Sequence, residues 1–403
     1  MIACQKRLIL EPPEGVSWAS KMVLNPAMIQ HPTRTNEVHM LFRATGPCEE
    51  LRLSDKPLPY PISLGYGVSY DYGETWDFDF DRPALAPAVK YDKKDIYLPD
   101  GRVNYANGCI EDPRLFYFEN KLYLSVASRV FPPGPYWEKD DPEQCMPDWV
   151  FSDTEIEPAI RDNFTVSVLY KVNLGALSAR DYDSAFEYIG PISDPAMGDN
   201  RDVFLFPERI MIEGEKRVAC LHRPMNPKLY DVGKKLNKPS IFITSANSIS
   251  DLVAGRVKHH VLAEPEYDWE SNRIGASWTP LKLAQGIWML PYHGKQDSIV
   301  GYTQSFMVLE EKRRSIPQII VRKPARILYA NEPWELGTDF PTPCMFTCSG
   351  LLINGHRLLM GYGAADQKVG LVEVEMSDLF NALMSTVSDM DYVEDEPVKI
   401  GVA

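Results

Sequence analysis

Five times along this chain a tight turn is followed by a short apolar strand that ends in a small or polar residue. Four copies read "FENKLYLSVAS", "IEGEKRVACLH", "AQGIWMLPYH" and "INGHRLLMGYG", beginning near residues 118, 212, 284 and 353. A degenerate fifth, "TNEVHMLFRA", begins near residue 35. Between them lie further short runs of aliphatic, aromatic and β-branched residues, such as "LGYGVSY" and "SIFITS", bounded by Pro, Gly, Asn and Asp. These are strand signatures. Helical periodicity is confined to Ser248–Ala254 and Ser377–Met384, with Ser377 the expected N-cap of the second.

Radial repetition of one sheet unit would space the copies in this way and bring their strand ends together on an axis. The expected fold is therefore all-β: a five-bladed β-propeller with short peripheral helices and a central funnel. One propeller domain is expected over residues 1–403, with a Pro-rich acidic excursion at Pro132–Asp148 and an acidic tail from about 388. The segment "SYDYGETW", Ser69–Trp76, fits the S-x-D-x-G-x-T-W turn found at propeller hairpins. There Asp and Gly close the turn and Trp packs beneath it, so it bears on fold and not on chemistry.

Composition excludes some partners. A net charge of −14 opposes binding to a phosphate backbone, and no apolar stretch is long enough to cross a bilayer. The first residues carry no apolar core with a cleavage site behind it, so no secretory leader is expected. The seven cysteines are scattered without a C-x-x-C, and Cys344 and Cys348 have no neighbouring His or Cys to complete a zinc site. A cytoplasmic protein with reduced thiols is the expectation, with neither nucleic acid nor membrane as partner.

In a propeller the inner strand ends line the funnel. Here they supply Asn25, Arg43, the run Glu111-Asp112-Pro113-Arg114, Arg201, Asp202, Glu208, His222, Arg223, Arg273, Tyr292, His293 and Asp366. The set is rich in arginines and carboxylates and holds no Ser-His-Asp or Cys-His arrangement; G-x-S-x-G is absent. Each has a structural reading as well. Glu111 and Arg114 suit a buried ion pair locking a blade, Glu208 a strand anchor, and His293 a satisfied core histidine. The tryptophans suit the core, Trp278 being the one also placed to stack on a sugar.

The segments "GCIEDPRLF", "RDVFLFPERI", "LHRP", "RIGASWTPLKL", "YHGK" and "GYGAAD" occur in the order and spacing of glycoside hydrolase family 130, which this chain resembles from about Asn25 to Glu375. The resemblance implies a five-bladed propeller that phosphorolyses β-mannosides with inversion, giving α-mannose 1-phosphate. It implies Asp112 as the catalytic acid and Arg201, Arg223 and His293 as phosphate contacts, with Arg273 where a lysine is usual. It implies Asn25, Arg43 and Asp366 as mannosyl contacts. Glu111 and Tyr292, from the inner strand ends, are expected as further substrate contacts, and Glu111 and Arg114 would orient Asp112. No metal or organic cofactor is implied, inorganic phosphate being the co-substrate. A carbohydrate and phosphate are the expected partners, and family members often form homo-oligomers.

The implied roles agree with the chemistry. An inverting hydrolase needs an acid and a carboxylate base that activates water across the ring. Phosphate is already anionic, so a cationic cradle replaces the base, and arginine's planar fork suits it. The alternatives are a β-mannosidase of the same fold, with Glu208, Glu264, Glu266 or Glu270 as its base, and a non-catalytic carbohydrate-binding propeller. Linkage, 1,2 or 1,4, and the leaving sugar stay open, since loops such as Cys48–Tyr60 and Pro132–Asp148 would contact them.

Overall fold

Each copy of the repeat forms the second strand of an antiparallel sheet of four to six strands. The turn before it joins that strand to the innermost one or, in blades three and four, to a short strand in line with it, Ile210–Ile212 or Leu281–Ala284. The computed structural model describes residues 2–47, 61–90, 92–129, 165–297, 300–337 and 342–385, with short pieces at 52–53, 56–57, 149 and 157. Pro132–Asp148, the acidic tail and most of Cys48–Tyr60 lie outside the described residues.

Blade one runs Met22–Gln30, Val38–Thr45, Ile62–Ser69 and Asp77–Asp79, from the axis outward. Blade two follows with Cys109–Phe118, Lys121–Arg129, Val166–Val172 and Phe186–Pro191. Blade three has Asn200–Leu205, Glu215–Pro224, Ile241–Ala246 and Lys258–Ala263. Blade four has Arg273–Ala276, Ile287–Gln296, Gly301–Glu310 and Gln318–Arg322. Blade five takes Met345–Ile353, Arg357–Ala364 and Lys368–Glu375 from the C-terminal end of the described chain. Its outermost strand is Gln5–Leu10, which pairs with Lys368–Glu375 and so closes the ring.

The second strands are buried on both faces, and their period-two alternation sends neighbours into different sectors between blades. Leu41 joins the layer between blades one and two, while Met40 and Phe42 join the layer between five and one. Trp288 and Leu290 pack towards blade three, and Met289 towards blade five. This explains why these strands read as continuous apolar runs.

The Ser69–Trp76 turn has the expected structural form. Asp71 Oδ1 accepts from Ser69 Oγ (2.7 Å) and Thr75 N (2.9 Å), Gly73 takes φ 90°, and Trp76 Nε1 donates to Gly73 O at 3.0 Å. The first expected helix is present as Ile249–Val253, capped by Ser248, whose hydroxyl accepts from Asp251 N at 3.0 Å. The second corrects the expected cap. It spans Met376–Met384 with Glu375 at the N-cap, so Ser377 lies inside it. The chain passes directly from the third strand of blade five into this helix and leaves no turn for a serine cap.

Ring closure rests on a buried ion pair beneath the N-terminal strand. Lys6 Nζ lies 2.9 Å from Glu335 Oε2 and also donates to Tyr329 O at 2.7 Å and Asn331 Oδ1 at 2.5 Å. The same Glu335 oxygen accepts the backbone N–H groups of Asn331 and Glu332 at 2.7 and 2.8 Å. Removing the lysine would leave a carboxylate in the interior without its countercharge. Lys6→Ala is expected to cost about 3–5 kcal/mol in urea unfolding. A loss below about 1 kcal/mol, the range of surface pairs, would show that closure does not depend on this pair.

Candidate active site

Three innermost strands break their pairing at the same depth. In blade one Leu24 pairs with Arg43 and Ala27 with Leu41. In blade two Glu111 pairs with Ala127 and Arg114 with Ser125. In blade three Arg201 pairs with Arg223 and Phe204 with Leu221. Each inner strand thus carries one residue more than its partner, a β-bulge. The residue that follows the last regular pair is Asn25, Asp112 or Asp202, at φ 49°, 52° and 56°. Asn and Asp are the side chains that best tolerate this left-handed region, and bulges re-aim side chains beside functional sites.

These bulges converge on a cavity of about 550 Å³ at the inner strand ends. Seven basic residues line it: Lys21, Arg43, Arg129, Arg201, Arg223, Arg273 and Lys295. The acids lining it are Glu111, Asp112 and Asp366, and Asn25, Tyr302, Phe346 and Gln367 also contribute to the wall.

Asp112 accepts from Asn25 Nδ2 at 2.7 Å and from Arg43 Nη1 at 3.2 Å. Burial pushes its carboxyl up, but Arg43, Arg114, Asn25 and Arg201 outweigh that and hold it below the usual carboxylate range. Glu111 is gripped from two sides, by Arg43 Nη1 at 3.0 Å and Arg129 Nη2 at 3.3 Å. Arg201 is held by Asp199 at 3.1 Å, and Arg223 Nε by Asp202 Oδ2 at 2.5 Å. Arg273 Nη2 donates to Tyr302 Oη at 2.6 Å, and its guanidinium lies 5.6 Å from that ring. Burial raises Asp366 to about 6, Asp112 and Glu111 adding to the rise while Arg43 opposes it.

Eight of the ten residues selected from the sequence line this one cavity: Asn25, Arg43, Glu111, Asp112, Arg201, Arg223, Arg273 and Asp366. Two do not. His293 is fully buried behind the wall, its Nε2 3.4 Å from Asp202 Oδ2 and its Nδ1 3.2 Å from Ser277 Oγ. Tyr292 points the other way along the same strand, into the layer with Trp269 (centroids 5.6 Å apart) and Arg322 (5.5 Å). Adjacent strand residues face opposite sides, so these two could not share one surface.

Other expectations are corrected. Glu111 does not pair with Arg114. The bulge separates them, and Arg114 instead turns to Asp202, with Nη2 to Oδ1 at 3.5 Å. Trp278 belongs to the core between blades four and five and is absent from the cavity wall. The carboxylates considered as a hydrolytic base also lie elsewhere. Glu208 pairs with Lys282, Glu264 with Lys234, and Glu266 and Glu270 with Arg322. The sequence reading missed Lys21, Arg129, Lys295, Tyr302 and Phe346. Arg129 and Lys295 end repeated second strands, just as Arg223 does, which was the available signal.

The chain is similar to proteins of known activity and structure. A family model described as beta-1,4-mannooligosaccharide phosphorylase matches residues 203–385. Beta-1,2-mannobiose phosphorylase from Listeria innocua is 26% identical over 315 residues, covering 74% of this chain and 82% of that one. The 1,2-beta-oligomannan phosphorylase from Thermoanaerobacter sp. is 29% identical over 181 residues, 45% of this chain and 52% of that one. Among solved structures, the Listeria innocua protein in complex with beta-1,2-mannobiose superposes with a TM-score of 0.59 at 18% identity, over 94% of this chain and 93% of that one. A structure from work on glycoside hydrolases that target beta-1,2 mannosidic linkages in Candida mannan gives 0.58 at 13% identity, over 93% and 94%. At these identities the superpositions bear on fold alone.

Asp366 provides a test of the cavity's electrostatics. Its folded-state value of about 6 lies above an ordinary aspartate near 3.9, so protonation favours the folded protein. The stability it contributes is complete below about pH 4 and is lost as pH rises through 6. Asn at this position cannot ionise. Without phosphate, Asp366→Asn should therefore gain on the wild type by about 2 kcal/mol between pH 4 and 7. Urea unfolding across that range measures the difference, and a constant offset would place Asp366 in a better-solvated setting than its burial indicates.

Proposed function

We propose that this chain is a member of glycoside hydrolase family 130 and that its funnel cleaves β-mannosides with inorganic phosphate, with inversion, and releases α-mannose 1-phosphate. The observation that carries this reading is one cavity that gathers a held carboxyl and a cluster of cations. Asp112 lines it, held by Asn25 and Arg43. Arg201, Arg223, Arg273 and Lys295 line it as well. Of the three acids in the cavity, Glu111 is committed to Arg43 and Arg129. An acid sharing a cavity with a cluster of guanidinium groups suits attack by an anion, which needs no base.

In this reading Arg201, Arg223 and Arg273 hold the phosphate, while Asn25, Arg43 and Asp366 hold the mannosyl unit. Glu111 fixes Arg43 from behind. A phosphate oxygen attacks the anomeric carbon from the face opposite the leaving sugar. Asp112 supplies the proton that the glycosidic oxygen takes as its bond to carbon breaks, relayed through a mannose hydroxyl. The β-mannoside becomes an α-phosphate, and Asp112 is left ionised. His293 and Tyr292 take no direct part.

The charge state of Asp112 fits a phosphate-dependent cycle. Arg43, Arg114 and Arg201 outweigh burial and hold its carboxyl below the usual carboxylate range. A phosphate dianion against Arg201 offsets part of that field and favours the protonated acid that bond cleavage requires.

The proposed linkage is 1,2, because both curated relatives are named for 1,2-linked mannosides. The family model is described by a 1,4 activity, which makes β-1,4-mannobiose the comparison substrate. Incubation of each disaccharide with and without phosphate tests the whole reading. α-Mannose 1-phosphate should form from the 1,2 isomer only when phosphate is present. Asp112→Asn should lose roughly 10²–10⁴-fold in turnover while staying folded. Undiminished release of free mannose in phosphate-free buffer would assign the chain to the hydrolases.

A further inference from the structure

We propose that Asp202 is a positioning residue that fixes the phosphate arginine Arg223 and the backbone of the acid Asp112 in one frame. The proposal rests on the phosphorolytic reading above and adds to it a residue without a cavity-facing role.

Asp202 occupies the third bulge, the counterpart of Asn25 and Asp112, at φ 56° and almost wholly buried. Where its counterparts face the cavity, its carboxylate is turned into the ring. Oδ2 accepts from Arg223 Nε at 2.5 Å and lies 3.4 Å from His293 Nε2, and Oδ1 lies 3.5 Å from Arg114 Nη2. Arg114 in turn donates from Nη1 to the carbonyl oxygens of Asp112 and Pro113, both at 3.1 Å, and from Nε to Ser277 O at 2.5 Å. A continuous series of buried polar contacts therefore runs from Arg223 through Asp202 and Arg114 to the Asp112 peptide. It joins blades two, three and four.

The series has a consequence for binding. With Nε engaged by Asp202, the guanidinium of Arg223 cannot rotate about its own stem, and its remaining edge is presented to the cavity that it lines. Arg114 meanwhile fixes the main chain at the acid's left-handed turn. Gly275 makes the arrangement possible, since a β-carbon there would collide with Asp202 Oδ2 and with the His293 ring. A buried ion pair that only stabilised blade three would need neither the link to the Asp112 peptide nor this clearance.

The experiment compares Asp202→Asn with the wild type in phosphorolysis of β-1,2-mannobiose, varying phosphate and sugar separately. Loss of the charge-assisted contact to Arg223 should raise the phosphate KM roughly 10- to 100-fold and change the sugar KM by less than about 2-fold. In an Arg223→Ala background, Asp202→Asn should raise the phosphate KM no further. Gly275→Ala displaces the Asp202 carboxylate without altering any charge, and should give the same one-sided rise if Asp202→Asn does not fold.

Folded variants with unchanged phosphate KM, or with both KM values raised alike, would overturn the proposal. So would an undiminished further rise in the Arg223→Ala background, or loss of fold in both single variants, which would assign Asp202 to stability. Failure of the underlying reading has a different signature, namely wild-type protein that releases mannose without phosphate.

Discussion

The structure depends on balancing positive charge at the axis of the ring. A guanidinium group can be withdrawn from water only when carboxylates and carbonyls replace its hydration. Behind the cavity wall Asp199 meets Arg201, Asp202 meets Arg223, and Glu111 meets both Arg43 and Arg129. The Asp202 and Arg129 pairs join neighbouring strands of one blade, and the Glu111–Arg43 pair joins blades two and one, so these contacts fix the ring as well as the charges. Arg273 is stabilised differently, by the hydroxyl and ring of Tyr302, which leave its charge available to an anion in the cavity.

One backbone device delivers three separate roles. The bulges of blades one, two and three put Asn25, Asp112 and Asp202 into the same left-handed conformation at the same depth. Backbone strain of this kind persists where the surrounding structure over-determines it. The first position donates a hydrogen bond to the second, and the third reaches the second through Arg114. Radial repetition supplies the geometry, and the side chain at each bulge decides its use.

Much of this was legible in the sequence because it was local. The turn-and-strand repeat marked every second strand, and the Asp71 turn declared a propeller hairpin from eight residues. Ring closure was not legible, because the alternation in "QKRLIL" says nothing about pairing with residues more than 350 positions away. The cavity residues were found through strand ends and family resemblance, yet the pairings among them were not. Glu111 and Arg114 look like partners in the sequence, and the extra residue of the bulge turns them to different neighbours. Tyr292 and His293 were selected together although period-two alternation allows at most one of them on a given face. Strand periodicity, applied strictly, would have removed one of the pair.

The geometry also bears on why the acid and the cationic wall belong to one machine. Arg43, Arg114 and Arg201 hold Asp112 below the usual carboxylate range, while Arg201 is also met by Asp199 and Arg223 by Asp202. On the proposed reading phosphate takes over the arginines, the attraction holding Asp112 ionised weakens, and a proton becomes easier to hold. The nucleophile would thus prepare the acid that acts on the opposite side of the same bond. Water, being neutral, offers no such exchange. In a hydrolase, protonating Asp112 would remove one of the carboxylates that offset the seven basic side chains of the cavity with nothing to replace it, and burial makes that state costly. The arginine wall therefore supports a cycle in which an anion is present whenever the acid carries its proton.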